Sequence, residues 1–154
     1  MKIHKFPFTI AYADTDAEGI VYHARYLEIA ERARMNWLRG RVVADDDVGF
    51  LFRERKGATD LVNSMLNYGY SILYARIWRE LLKRKLNPTD SVLHEVNNGK
   101  PTFVYDVIEL FRCQAVDRVV ISLVQKGEQL HIKKGLLTEE TKKLLVANII
   151  ERIN

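Results

Sequence analysis

The chain has 154 residues, 47% of them hydrophobic and 29% charged, with a formal net charge of +4. That composition is globular, and the length suits one ordinary domain and is too short for two full ones. No apolar run approaches the ~20 residues of a membrane span, and a single cysteine, Cys113, excludes an internal disulfide and cysteine-based zinc sites.

The start, Met1 to Pro7, lacks the apolar stretch and cleavage site of a secretory signal, so a cytoplasmic location without membrane contact is expected. The mild positive charge permits nucleic-acid binding without requiring it. Phe6, Phe8, Ile10 and Tyr12 alternate with Pro7, Thr9 and Ala11, which predicts a short strand. A polar turn over 14–19 follows, then an amphipathic helix over about 23–39 with Tyr26, Ala30, Ala33 and Trp37 on its apolar face. The segment 39–49 holds two glycines and an acidic triplet, and it separates a front unit, 1–40, from a helical unit, 41–154.

Beyond it the periodicity is helical, with no convincing strand after residue 55. Asp60 caps a helix carrying Leu61, Met65, Leu66, Gly69, Ile72 and Leu73, which continues through Ile77, Leu81 and Leu82 to Lys83-Arg84-Lys85. Asn87-Pro88 breaks it. A turn at 97–101 leads to a helix over 102–112, with Thr102 as its cap and Phe103, Val104, Val107, Ile108 and Phe111 inward. Val116, Val119, Val120, Leu123 and Val124 form another stripe. Thr138 caps the last helix, with Leu145, Ile149, Ile150 and Ile153 inward.

Asp106 and Glu109 lie one turn apart on the helix 102–112. A carboxylate pair on a rigid helix suits a hard divalent cation, and chain reversal at 97–101 can bring His94 over it. A metal so held activates a water or hydroxyl and stabilises charge on a phosphodiester. Spacing alone leaves the plainer alternative, a solvated acidic face with a structural histidine. Arg76, Arg79, Lys83, Arg84 and Lys85 form a basic stretch, read as phosphate-backbone contact or as a solvated helix end.

The run Gly57-Ala58-Thr59-Asp60-Leu61-Val62-Asn63, then Leu66-Asn67-Tyr68-Gly69-Tyr70-Ser71-Ile72-Leu73-Tyr74, resembles the opening of the helical catalytic domain of the CRISPR adaptation integrase. The resemblance continues through Leu93-His94, through 99–112 and through Val116-Asp117-Arg118, over about residues 49–154. It implies a mainly α fold: a helical bundle like that family's C-terminal domain, preceded by one short strand and an amphipathic helix. It also implies a metal-dependent DNA endonuclease or integrase of spacer acquisition in antiviral defence. His94, Asp106 and Glu109 would hold Mg2+ or Mn2+, with an upstream glutamate completing the set. Of Glu28 and Glu31, Glu28 is the closer by position. DNA, a second copy of the chain and the family's small adaptation subunit are the implied partners. The family's β-rich domain has no counterpart here, and the helical domain is expected to be incomplete.

Residues 8–39 resemble a different family. Tyr12-Ala13-Asp14-Thr15-Asp16-Ala17-Glu18-Gly19, with the residues to Tyr26 and Glu31-Arg32-Ala33-Arg34, is similar to the opening of hotdog-fold acyl-CoA thioesterases, which implies Asp16 as nucleophile or base. The remaining strands of a hotdog domain are absent from the pattern, so this segment is expected to serve only as a strand and packing helix. The sequence therefore carries three readings: a DNA endonuclease or integrase, an acyl-CoA thioesterase acting through Asp16, and a non-catalytic DNA-binding fragment.

Overall fold

The computed structural model describes residues 5–10, 15, 23–42, 50, 53–55, 57–94 and 99–154. Five α-helices dominate: α1 (His23–Val42), α2 (Leu61–Lys83), α3 (Thr102–Arg112), α4 (Arg118–Gln125) and α5 (Glu139–Ile153). A π turn, Cys113–Asp117, joins α3 to α4 without a break in the helical path. A small antiparallel hairpin, β1 (Ile132–Lys133) and β2 (Leu136–Leu137), pairs Ile132 with Leu137 and Lys133 with Leu136.

α2 is the axis of the bundle. Asp60 caps it as expected, its carboxylate accepting from the Asn63 amide at 2.8 Å. Val62, Met65, Leu66, Leu73, Ile77 and Leu81 form its buried stripe, and this packs against α3, the π turn, α4 and α5. At Gly69 the helices approach so closely that a Cβ would lie 2.5 Å from Val116 Cγ1 and 3.1 Å from Ile149 Cδ1. Glycine inside a helix costs about 1 kcal/mol relative to alanine, and here it permits that contact. Val116, Val119, Val120, Leu123 and Val124 are buried from the other side, as are Leu145 and Ile149 of α5. Thr138 caps α5, accepting from Thr141 N.

Several sequence expectations change. α1 does not bury Tyr26 and Ala30; both are exposed, and the inward face runs through Glu31, Arg34, Met35, Leu38 and Val42. These positions keep the helical spacing but include two charged residues, which the apolar count passes over. α1 also extends through Gly40 to Val42, past the boundary expected at residue 39. Thr102 is the first residue of α3 rather than its cap, because its hydroxyl is spent on the Thr89 carbonyl at 2.8 Å. Leu110 and Phe111 are exposed, while Asp106 is buried on the inner face. Lys5–Ile10 form no strand, since none of the described residues pairs with them; Ala11 and Tyr12 lie outside the described residues. The hairpin after residue 130 was not expected either. Its turn, Lys134-Gly135, has φ of 52° and 75°, as a tight two-residue hairpin connection requires.

The Gly69 contact makes a first prediction. Gly69→Val should lower unfolding free energy by about 3 kcal/mol, because overpacking adds to the β-branched penalty. Urea denaturation of variant and parent measures it.

Candidate functional site

The site forms where Arg34 of α1 reaches Tyr70 of α2 and Asp117 of the π turn, and where α3 meets the segment 92–94. Its foundation is a buried ionic cluster. Asp117, in the π turn, is fully buried. It accepts hydrogen bonds from the Arg34 guanidinium and the Tyr70 hydroxyl, both at 2.5 Å. Arg34 also donates to Tyr70 Oη at 2.6 Å. The other side of the same guanidinium donates twice to Glu31, from Nη2 at 2.6 Å and from Nε at 3.1 Å. Arg34 thus ties three elements together and fixes where the Glu31 carboxylate sits.

Burial pushes the Glu31 carboxyl up, but Arg34, Arg112 and Arg55 outweigh it and hold it below the ordinary carboxylate range. Burial dominates at Asp117 and raises it, against the pull of Arg34 and Tyr70. Burial works against the charge on Arg34 as well, yet its anionic surroundings keep it protonated. The Tyr70 hydroxyl is held neutral by burial and by the adjacent Asp117.

Glu109 faces the same place from α3. Arg112 Nη1 lies 2.8 Å from Glu109 Oε1 and 3.7 Å from Glu31 Oε2, so one guanidinium serves both carboxylates. Burial raises the Glu109 carboxyl, and the Glu31 charge raises it further, while Arg112, Arg34 and His94 pull it down. The two acids therefore share one electrostatic site.

His94 lies near enough to Glu109 to act on its charge, and Asp106 holds it there. The segment 92–94 wraps the Asp106 carboxylate, which accepts the amides of Val92 (2.6 Å), Leu93 (3.0 Å) and His94 (3.1 Å). Asp106 Oδ1 also lies 2.6 Å from His94 Nδ1. Burial alone would raise Asp106, but these contacts outweigh it and lower its pKa. The His94 ring stands edge-on to Tyr105, 6.1 Å between centroids. A carboxylate holding one ring nitrogen leaves Nε2 as the nitrogen for a further ligand.

The structure thus brings His94, Asp106 and Glu109 to one region. It does not bring Glu28 there: that side chain is exposed and pairs with Arg25 and Arg32. Glu31 takes the place instead, and its register with Met35, Leu38 and Val42 was the signal that could have found it. Asp106, expected as a cation ligand, is enclosed by the amides of residues 92–94 and holds the His94 ring at Nδ1. The basic stretch lies elsewhere. Arg76, Arg79, Lys83, Arg84 and Lys85 are exposed toward the far end of α2, with Lys83 about 24 Å along the axis from Asn67 at 1.5 Å per residue. Arg76 and Lys83 there contact Glu80. Asp16 lies outside the described residues.

Glu31 and Glu109 with the His94 imidazole make a chemically suitable donor set for a hard divalent cation. Among the described residues no three such groups already converge on one point. Arg112 supplies the positive charge the two glutamates need, so an ion and Arg112 compete for the same oxygens.

The profile of a family described as "CRISPR associated protein Cas1" matches residues 30–151. That span includes Glu31 and excludes Glu28 and Asp16. A CRISPR-associated endonuclease Cas1 of Archaeoglobus fulgidus is 34% identical over 134 residues, covering 83% of this chain and 36% of the relative. A second, from Pyrobaculum aerophilum, is 39% identical over 106 residues, covering 69% of this chain and 34% of the relative. The chain thus spans about a third of these relatives. Among solved structures, a Cas1 protein from Thermotoga maritima superposes with a TM-score of 0.71 at 25% identity, covering 88% of this chain and 47% of the other. A casposase bound to integration product gives 0.74 at 25% identity, with 89% and 42% covered. The mainly helical architecture is therefore shared with these proteins.

The Asp106 anchor can be tested. Asp106→Ala should cost about 3 kcal/mol, since three backbone amides and the His94 ring lose one shared, buried acceptor. Because the folded-state pKa is depressed, this stabilisation is complete above about pH 4, the ordinary aspartate value, and is lost as pH falls through the folded one. Denaturation at pH 7 and pH 3 should therefore show a smaller acid loss in Asp106→Asn than in the parent.

Proposed function

This chain belongs to the Cas1 family of CRISPR-associated proteins, and we propose that it acts on DNA strands as a divalent-cation-dependent endonuclease or integrase, with Glu31, His94 and Glu109 as the ion-holding residues. The observation that carries this reading is the shared Arg112 guanidinium, 2.8 Å from Glu109 and 3.7 Å from Glu31. Two carboxylates from separate helices are held together by it, and the His94 imidazole that acts on Glu109 is anchored by a buried aspartate. Relatives whose names say endonuclease, and a structural neighbour captured on an integration product, support the DNA-strand chemistry.

Mg2+ or Mn2+, when bound, would activate a water or a strand hydroxyl and neutralise charge at the reacting phosphate. The chain's own residues set up that chemistry. Arg34, braced by Asp117 and Tyr70, orients the Glu31 carboxylate and keeps it ionised. Asp106 fixes His94 through Nδ1 and favours the tautomer with Nε2 unprotonated. Arg112 compensates the two glutamates before the ion arrives. Assembly with a second copy or a small adaptation subunit, and a cytoplasmic setting, belong to the same proposal. No helix among the described residues is long and apolar enough to cross a membrane. The non-catalytic reading becomes the alternative outcome of the test, and no observation favours thioester hydrolysis through Asp16.

A strand-cleavage assay with Mn2+ and branched or 3′-overhang DNA tests the assignment. Glu31→Gln, His94→Ala and Glu109→Gln should each lower the rate at least about 100-fold, whereas Glu28→Gln should stay within about twofold. Cleavage that survives chelation and all three substitutions would reject the reading. DNA retained without any cleavage by the parent would favour the non-catalytic one.

A further inference from the structure

Beside the carboxylates lies a cavity of about 200 Å3 lined by Glu31, Arg53, Arg55, Asn67, Tyr70 and Arg112. Its cations outnumber what the acids can use. Four guanidinium groups, those of Arg34, Arg53, Arg55 and Arg112, surround three carboxylates, those of Glu31, Glu109 and Asp117. Arg34, Arg53 and Arg112 all stack on the Tyr70 ring, at 5.6, 5.4 and 5.1 Å from its centroid. Such stacking offsets part of the cost of burying charge, but like charges so close still repel.

Arg53 is the residue this arrangement leaves without a counter-ion. It is half-buried, and among the described residues no carboxylate lies within ion-pair distance of it. Its donors go to neutral oxygens: the Glu54 carbonyl, Asn63 Oδ1 at 3.1 Å and Asn67 Oδ1 at 2.6 Å. Asn63 is buried and itself tied to Asp60, so the guanidinium is held rigidly at the cavity wall. Arg112 adds a buried Nε with no hydrogen-bond partner. Arg55 is exposed, with one long 3.9 Å contact to Glu31. A fixed and stacked guanidinium with no ion pair among the described residues, and two more at its side, suits an oxyanion that accepts several N–H donors at once.

We propose that Arg53, with Arg55 and Arg112, forms a phosphate-binding subsite that seats a backbone phosphodiester of the DNA strand next to the Glu31–Glu109 pair. The phosphate subsite stands on the arginine geometry. Its assignment to DNA rests on the strand-chemistry reading above. Seating one phosphate here would set the register of the strand relative to the carboxylates without reading its sequence.

Fluorescence anisotropy of a labelled single-stranded oligonucleotide, in chelator and over a range of salt, tests this without any cleavage. Arg53→Gln should weaken binding about tenfold and make the logarithmic salt slope shallower by about one unit. Inorganic phosphate should compete in the parent and much less in Arg53→Gln. Arg55→Gln, at an exposed position, should weaken binding about threefold with an unchanged Tm, so the proposal is still tested if Arg53→Gln does not fold. Unchanged affinity and slope in the folded variants would overturn the subsite, as would a parent that binds neither the oligonucleotide nor inorganic phosphate. Inorganic phosphate bound by a parent that ignores the oligonucleotide would overturn the strand assignment. Because chelator is present, this binding can be seen even if the cleavage reading fails. Conversely, cleavage that depends on Glu31 with binding indifferent to Arg53 and Arg55 sinks the subsite alone.

Discussion

The bond between Arg34 and Asp117 constrains everything around it. A carboxylate with no exposure to solvent is costly unless paired and fully hydrogen-bonded, and Asp117 obtains that pairing from one guanidinium and one phenol. Meeting this need pulls α1 onto the π turn and threads Arg34 past Tyr70 of α2. The remaining donors of Arg34 then point at Glu31. A demand of the core thereby sets the orientation of a site residue on another helix. Breaking one partner of such a buried pair typically costs about 3–5 kcal/mol, so fold and site are energetically linked.

The π turn has a part in this. An unbroken α-helix from Thr102 onward would carry Asp117 about 100° per residue around the axis from Glu109, as the 3.6-residue repeat dictates. The wider turn at Cys113–Asp117 shifts the later residues in phase. Val116 thereby meets Gly69, and Asp117 meets Arg34. α3 can then present Glu109 and Arg112 toward α1 while α4 buries its valines.

Much of the fold could be read from the chain. Asp60 and Thr138 announced α2 and α5 because a capping side chain has a local and specific partner. Most of the buried stripe of α2 followed from simple periodicity, although Leu82 is exposed and the buried Val62 was passed over. The misreading of α1 has a plain cause: a count of apolar residues misses faces that bury charge. α1 was oriented by Tyr26 and Ala30, yet it turns Glu31 and Arg34 inward because Asp117 awaits them across 83 positions of chain. Spacing also left a solvated acidic face open for Asp106, whereas the amides of residues 92–94 and the His94 ring enclose it. Arg53 carries no local signal at all, since its surroundings come from α2 and from the convergence of other arginines. The resemblance singled out His94, Asp106 and Glu109; of the two glutamates it left on α1, Glu28 was preferred by position, yet Glu31 is the one that faces Arg112 and Glu28 pairs with Arg25 and Arg32 in the open.

The central claim is that one divalent ion sits among Glu31, Glu109 and His94. Crystals grown with Mn2+ and measured for anomalous scattering address it directly. The account predicts an anomalous peak within ligand distance of both glutamates and the histidine, with Arg112 turned away from the oxygens it now holds. A peak at Glu28, or an ion bound only at the far end of α2 while Arg112 keeps its two partners, would contradict it.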